Sequence, residues 1–144
     1  MSHYKLWKDI VTVRLQNQSK AYLRLTSDQE GTLAIKEFSS EIINGDQSNR
    51  EAHAAKVYFN LLMGTSFSRG NEDILLNSGL DYGYAVLRGY IARVCVGYGL
   101  NTQIGIHHKN EYNRFNLVDD LMEPLRPMID IVAYESMKNV SADK

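Results

Sequence analysis

The residues able to do chemistry crowd into one window, Gly105 to Pro127. Two histidines, His107 and His108, precede four carboxylates, Glu111, Asp119, Asp120 and Glu123, and both prolines of the chain, Pro124 and Pro127, close it. Asp120 and Glu123 are three apart on a predicted helix, so their carboxylates project from one face. They lie in its first two turns, where the helix dipole favours negative charge. Acidic residues also stand at helix starts with no chemical role. Here apolar Leu117, Val118, Leu121 and Met122 flank them, and carboxylates near an apolar face are costly without a cation. Two or three carboxylates with one imidazole make a mostly oxygen site, suited to magnesium or manganese. The histidines are too few and wrongly spaced for a three-nitrogen zinc site. No Glu-x-x-His pair occurs on two helices, as a di-iron bundle requires. An oxygen-rich magnesium or manganese site most often serves phosphoryl chemistry. The residues by themselves reach as far as a divalent-metal phosphodiester enzyme.

The elements that must position this window read as helix. The chain has 144 residues, enough for one domain with one sizeable core. Hydrophobic content of 44% and charged content of 23% are those of a soluble globular protein. The net charge of -1 decides nothing about nucleic acid, so any basic surface must be a local patch. A single cysteine, Cys95, excludes an internal disulfide and a cysteine-based zinc site, and its apolar context predicts a buried thiol. No charged-then-apolar leader and no span-length apolar run is present, which predicts a cytoplasmic protein with no membrane partner. With the first 123 residues free of proline, an all-α domain is expected.

Tyr4 to about Leu25 returns apolar residues at three and four, with Ser2 as N-cap. Gln16-Asn17-Gln18 within it reads as a solvated amide face. Ser27-Asp28-Gln29-Glu30 is a capping signal for a helix over Gln29 to Ile43, with Leu33, Phe38, Ile42 and Ile43 as its buried stripe. Asn44-Gly45-Asp46 reads as a stop and turn. Ser48 to about Met63 forms a third helix, in which Ser48 and Glu51 have capping-box spacing and Val57, Tyr58, Leu61 and Leu62 supply the apolar stripe. Gly64 to Gly70 is a loop. Asn71 opens the longest helix, to Tyr98, interrupted by Gly79, Gly83 and Gly89, each costing about 1 kcal/mol against alanine. Tertiary packing must hold it, and the small residues allow close helix contact. Tyr82, Tyr84 and Tyr90 read as core rather than as platforms for bases. Leu100 to His108 is a connector, with a short extended piece over 103–106. Asn116 is the expected N-cap of a last helix through Met137, kinked or restarted at Pro124. Asn139 to Lys144 is expected to fray.

Four ordered motifs then carry a resemblance over nearly the whole chain. Arg50-Glu51-Ala52 through Ala55-Lys56-Val57-Tyr58-Phe59 resembles an Arg-Glu-Ala-x-x-Ala-x-x-Tyr-Phe helix. Leu80 to Arg88 resembles a Leu-Asn-Tyr-Gly-Tyr-x-x-Leu helix, with Asp81 where Asn is usual. Gly105-Ile106-His107-His108 and Phe115-Asn116-Leu117 lead into Asp120-Leu121-Met122-Glu123-Pro124-Leu125-Arg126-Pro127. In this order they resemble the CRISPR-associated adaptation integrase, the metal-dependent endonuclease family that inserts new spacers in antiviral defence. Leu6-Trp7-x-x-Ile10 with Gln16-Asn17-Gln18 is most similar to the type II versions.

The resemblance implies a metal site of Glu51, His108 and Glu123, holding Mg2+ or Mn2+, with Asp120 as acidic neighbour or fourth contributor to catalysis. It turns Glu51 from a capping residue into a ligand. Arg69 and Lys109 become candidate phosphate contacts, while Tyr84, Arg88 and Arg126 stay structural. It implies branched and double-stranded DNA as partner, namely the prespacer and the CRISPR repeat. It also implies a homodimer and the small partner protein of the adaptation complex. The family carries an N-terminal β-rich domain, whereas this chain starts directly at the helices, so residues 1–144 resemble the C-terminal helical catalytic domain in isolation, as a single compact unit of five to seven helices. The competing reading is a truncated, non-catalytic helical module that binds DNA or a partner.

Overall fold

A chain with no proline before Pro124 can run in long uninterrupted helices, and it does. The computed structural model describes residues 2–44 and 50–142. Six α-helices occur among them: α1 (His3–Thr26), α2 (Gln29–Asn44), α3 (Arg50–Met63), α4 (Leu75–Gly97), α5 (Asn116–Met122) and α6 (Arg126–Ala142). A 3-10 turn, Glu123–Leu125, joins α5 to α6. No strand is present among the described residues. The piece expected to be extended at 103–106 is a series of turns.

The caps follow the sequence where side chains supply them. Ser2 Oγ accepts from Lys5 N at 3.2 Å and starts α1. Ser27 takes a left-handed conformation at its end. Asp28 Oδ1 accepts from Gly31 N at 3.0 Å and starts α2. Gly31 N–H and the Tyr22 hydroxyl both donate to Asp28, which holds its carboxyl below the usual range. Helix α2 ends at Asn44, as expected, while Gly45 and Asp46 of the expected turn and the Ser48 half of the capping box lie outside the described residues.

Three apolar clusters hold the helices. Tyr22, Ile35, Tyr58, Leu62, Leu76 and Leu80 join α1 to α4. Trp7, Ile10, Val11, Leu15 and Ala54 join α1 to α3. Ile91, Cys95, Val118 and Met122 join α4 to α5. Each such side chain contributes on the order of 2 kcal/mol by leaving water. Helix α1 is the hub, packing on α2, α3, α6 and the 3-10 turn, while α4 packs on α5 and α6. Gly83 makes the α4–α6 approach possible: a Cβ there would lie 2.5 Å from Ile129 Cγ2.

Several expectations are corrected. Leu33 is 57% exposed, and α2 instead buries Thr32, Ile35 and Ser39, a face offset from Leu33. In α3 Leu61 is exposed and Phe59 is buried. Tyr82 and Tyr90 are 75% and 61% exposed, so Tyr84 is the tyrosine of α4 that packs inward. Asn17 and Gln18 are not a solvated face. Gln18 is buried, and Asn17 Nδ2 donates to Pro124 O at 2.7 Å. Asn116 is no N-cap. It lies inside the first turn of α5, buried, with Nδ2 donating to the carbonyls of Gln103, Asn110 and Asn113. Helix α6 continues through Ala142, beyond the expected fraying at Asn139.

Candidate metal centre

Glu123 sits where α5 hands over to the 3-10 turn, with Pro124 in the position after it. Proline fits the first turn because it has no N–H to lose there. The turn presents the Glu123 carboxylate to α1. Arg14 Nη1 donates to its Oε2, and Arg126 Nε donates to its Oε1 at 3.0 Å. Asn17, one turn further along α1, ties down the next carbonyl.

His108 is placed by the connector before α5. Asp120 is fully buried at its foot and accepts the backbone N–H groups of Ile106, His107 and His108 at 2.5, 2.9 and 3.1 Å. Its Oδ1 also meets His108 Nδ1 at 2.5 Å. Gly105 is required for this turn, because a Cβ would strike the His108 carbonyl. Asp120 is therefore spent on shaping the loop and orienting the imidazole. With Nδ1 on Asp120, Nε2 is the ring nitrogen left for a ligand. Next to it, Asp119 belongs to another structure. Burial pushes its carboxyl up, but hydrogen bonds from Arg88 and Asn113 outweigh that and hold it below the usual range.

Glu51 opens α3 and completes the set. A cavity of about 180 Å³ is lined by Trp7, Val11, Arg14, Glu51, His107, His108 and Glu123. Trp7 stacks on His107 with ring centres 4.1 Å apart and meets His108 edge-on at 6.1 Å. The structure thus brings Glu51, His108 and Glu123 to one cavity and leaves Asp120 behind it. His107, which the sequence window includes but the resemblance leaves out of the ligand set, also faces that cavity. Among the described residues no three His, Cys, Asp or Glu side chains are close enough to close on an ion as they stand. The arginines hold the Glu123 oxygens instead. The donor chemistry still fits a hard divalent cation: two carboxylates and one oriented imidazole around a small polar space.

A larger groove of about 1050 Å³ begins at the same residues. Arg14, Lys56, Arg69 and Arg126 line it with Phe59, Phe67, Tyr84 and Glu123. Arg69 is held at its mouth by Asp81 at 2.7 Å and Asn77 at 3.1 Å, which gives Asp81 a local role. Lys109 is elsewhere, on a polar hollow with Gln103, Asn110 and Asn113. Arg126, read as structural, and Arg14 and Lys56, which carried no sequence signal, are the cations that join the two cavities or face the groove.

Below the groove lies a buried polar knot. Tyr58 and Tyr84 donate to the two oxygens of Asp130, the former at 3.0 Å. Burial raises the Asp130 carboxyl to about 6, against the lowering effect of the two hydroxyls, Arg14 and Arg126. Burial, with the charge of Asp130, raises both tyrosines above their ordinary value. Arg126 closes the knot from above, its guanidinium 4.6 Å from the Tyr84 ring centre.

Fold and site together define an all-α domain with a carboxylate–imidazole pocket opening onto a basic groove. The chain belongs to the family described as CRISPR associated protein Cas1, whose model it matches over residues 2–144. It is 42% identical over 131 residues to the CRISPR-associated endonuclease Cas1 of Neisseria meningitidis serogroup C (strain 8013), covering 88% of this chain and 41% of that protein. It is 34% identical over 137 residues to a CRISPR-associated endonuclease Cas1 of Saccharolobus solfataricus, covering 88% of this chain and 38% of that protein. A Francisella tularensis subsp. novicida CRISPR-associated endonuclease Cas1 is 35% identical over 88 residues, 55% of this chain and 27% of its own. The chain thus spans less than half the length of these relatives.

Proposed function

We propose that this chain is a divalent-metal-dependent DNA endonuclease and integrase domain acting in CRISPR spacer acquisition. One observation carries the reading: Glu51, His108 and Glu123, drawn from three separate elements, line one cavity that opens onto a groove of four cations. Glu51, Glu123 and His108 Nε2 would hold Mg2+ or Mn2+. When bound, the ion polarises a phosphoryl oxygen and stabilises the charge of the transition state. Asp120 keeps the imidazole turned toward the cavity. Lys56, Arg69 and Arg126 bind the phosphates of the strand and so bring a phosphodiester to the cavity mouth. In strand transfer a 3′-hydroxyl of the incoming DNA attacks the repeat; in cleavage, water does. Neither route needs a covalent enzyme intermediate.

The substrates proposed are double-stranded and branched DNA, with a second copy of the chain and the small partner protein of the adaptation complex as protein partners. The proposed compartment is the cytoplasm, and no helix of the described residues is long and apolar enough to cross a membrane. The test is manganese-dependent cleavage or strand transfer on branched DNA, lost in Glu123→Ala. Full activity of Glu123→Ala would sink the assignment. A non-catalytic DNA-binding module is favoured by one feature, the engagement of Glu123 by two arginines. Calorimetric titration with manganese separates the readings, since a module would release no metal-binding heat in any variant.

A further inference from the structure

Arg14 stands between the two cavities and belongs to both. Its side chain is 18% exposed, and its Nη1 donates to Glu123. Its Nε is buried and has no hydrogen-bond partner among the described residues. A buried donor without a partner costs about 1–3 kcal/mol, so the present arrangement leaves this guanidinium under-used. Arg126 differs. It bonds the other Glu123 oxygen and packs on Tyr84, so it is fixed from two sides.

Charge points the same way. Arg14 and Arg126 balance Glu51 and Glu123 one for one. A divalent cation held by the same carboxylates would leave the site with two positive charges in excess. A phosphodiester carries one negative charge, and its pentacoordinate transition state carries more. A cation on Glu123 Oε2 would compete with Arg14 for that oxygen and repel its guanidinium, which weakens the Arg14–Glu123 bond. We infer that Arg14 is a catalytic residue acting by exchange: it neutralises Glu123 in the metal-free protein, and metal binding releases it to the scissile phosphate. There its fork-shaped donor set, including the orphaned Nε, would engage two phosphate oxygens. This inference rests on the proposed metal-dependent reading of the site.

The exchange predicts a contribution to DNA affinity that depends on metal. The probe is a fluorescent branched DNA with unmodified phosphates, followed by anisotropy with and without Mn2+ at times short against cleavage. Manganese occupancy is read separately from quenching of Trp7, the one tryptophan of the chain, which lines the same cavity. In wild type, manganese should tighten DNA binding. Arg14→Ala and Arg14→Gln should match wild type without manganese and bind at least about tenfold more weakly with it, about what one lost charge-assisted contact costs. Both variants should keep or improve manganese affinity, because the ion no longer competes with Arg14. Arg14→Lys should recover part of the loss. Equal weakening with and without manganese would overturn the exchange and make Arg14 a standing phosphate contact. A fall in manganese affinity would also overturn it and make Arg14 a positioning residue for Glu123. Wild-type protein with no Trp7 quenching and no response of DNA affinity to manganese would overturn the metal site itself, and the exchange with it.

Discussion

The carboxylate of Asp120 stands 2.5 Å from His108 Nδ1 and at the same time takes three consecutive backbone N–H groups, from Ile106 to His108. One buried side chain thus fixes both the loop that carries the imidazole and the face the imidazole presents. Outer partners of this kind typically govern metal affinity by 10–100-fold. Asp120→Asn should keep the fold and lower manganese affinity by about that factor, measured calorimetrically. Asp120→Ala should in addition speed amide hydrogen exchange at residues 106–108. Unaltered manganese affinity in both variants would show that the contact is structural only.

Asp130 makes stability depend on pH in an uncommon direction. Burial raises its folded value to about 6 from an ordinary 3.8, so between those values the folded state holds more protons than the unfolded one. Stability therefore falls as pH rises through this window. The protonated carboxyl contributes fully below about pH 4, and that contribution is gone once the pH has passed about 6. Two units amount to roughly 3 kcal/mol. Urea unfolding at pH 4 to 7 should show this decline, while the opposite trend of Asp28 and Asp119, whose values are lowered, lies below about pH 4. Asp130→Asn should remove the decline between pH 4 and 7. Parallel pH curves for the two proteins would refute the assignment.

The periodicity of apolar residues made the helices legible, because burial of one face is a local property that repeats every three or four positions. The spacing of Asp120 and Glu123 was legible for the same reason. The contacts that finish the site were not. Arg14 and Glu123 are 109 positions apart, and nothing in the residues around Arg14 distinguishes it from any cation on a helix face. Asn17 and Gln18 look like solvent-facing amides until the 3-10 turn arrives over them. Asn116 has the composition of a cap, yet its amide is drawn inward by three loop carbonyls. Leu33 and Ile35 are both apolar, and only the position of α1 decides which of them is covered. The resemblance of the motifs supplied Glu51, for which local chemistry offered a capping role.

Two glycines of α4 should respond oppositely to the same substitution. A Cβ added at Gly89 would meet nothing within 4 Å, so Gly89→Ala should stabilise by up to about 1 kcal/mol through helix propensity. At Gly83 the added methyl meets Ile129 Cγ2, a β-branched group with little rotamer freedom in a helix. Overpacking of this kind costs about 1–3 kcal/mol, enough to outweigh the propensity gain. Gly83→Ala should lower the denaturation midpoint while Gly89→Ala raises it. Stabilisation by both would mean that α4 and α6 separate at no cost.

Asn17 links α1 to the joint that carries Glu123. Its amide donates to the Pro124 carbonyl, an acceptor at a helix junction, where carbonyls lack regular intrahelical partners. Arg14 lies one turn earlier on the same helix and grips Glu123 itself. In the metal-free protein both contacts tie the 3-10 turn to α1, and the half-buried Asn17 amide is the tie that remains when Arg14 leaves Glu123. Asn17→Ala should cost about 1 kcal/mol of stability, the usual net worth of one such bond. It should also loosen Glu123, so manganese affinity, read through Trp7 quenching, should fall several-fold even though Asn17 touches no proposed ligand. Asn17→Asp replaces the donor with a carboxylate facing a carbonyl and should be worse on both measures. A stability loss with unchanged manganese affinity would mean that packing of α5 against α4, rather than α1, sets the position of Glu123.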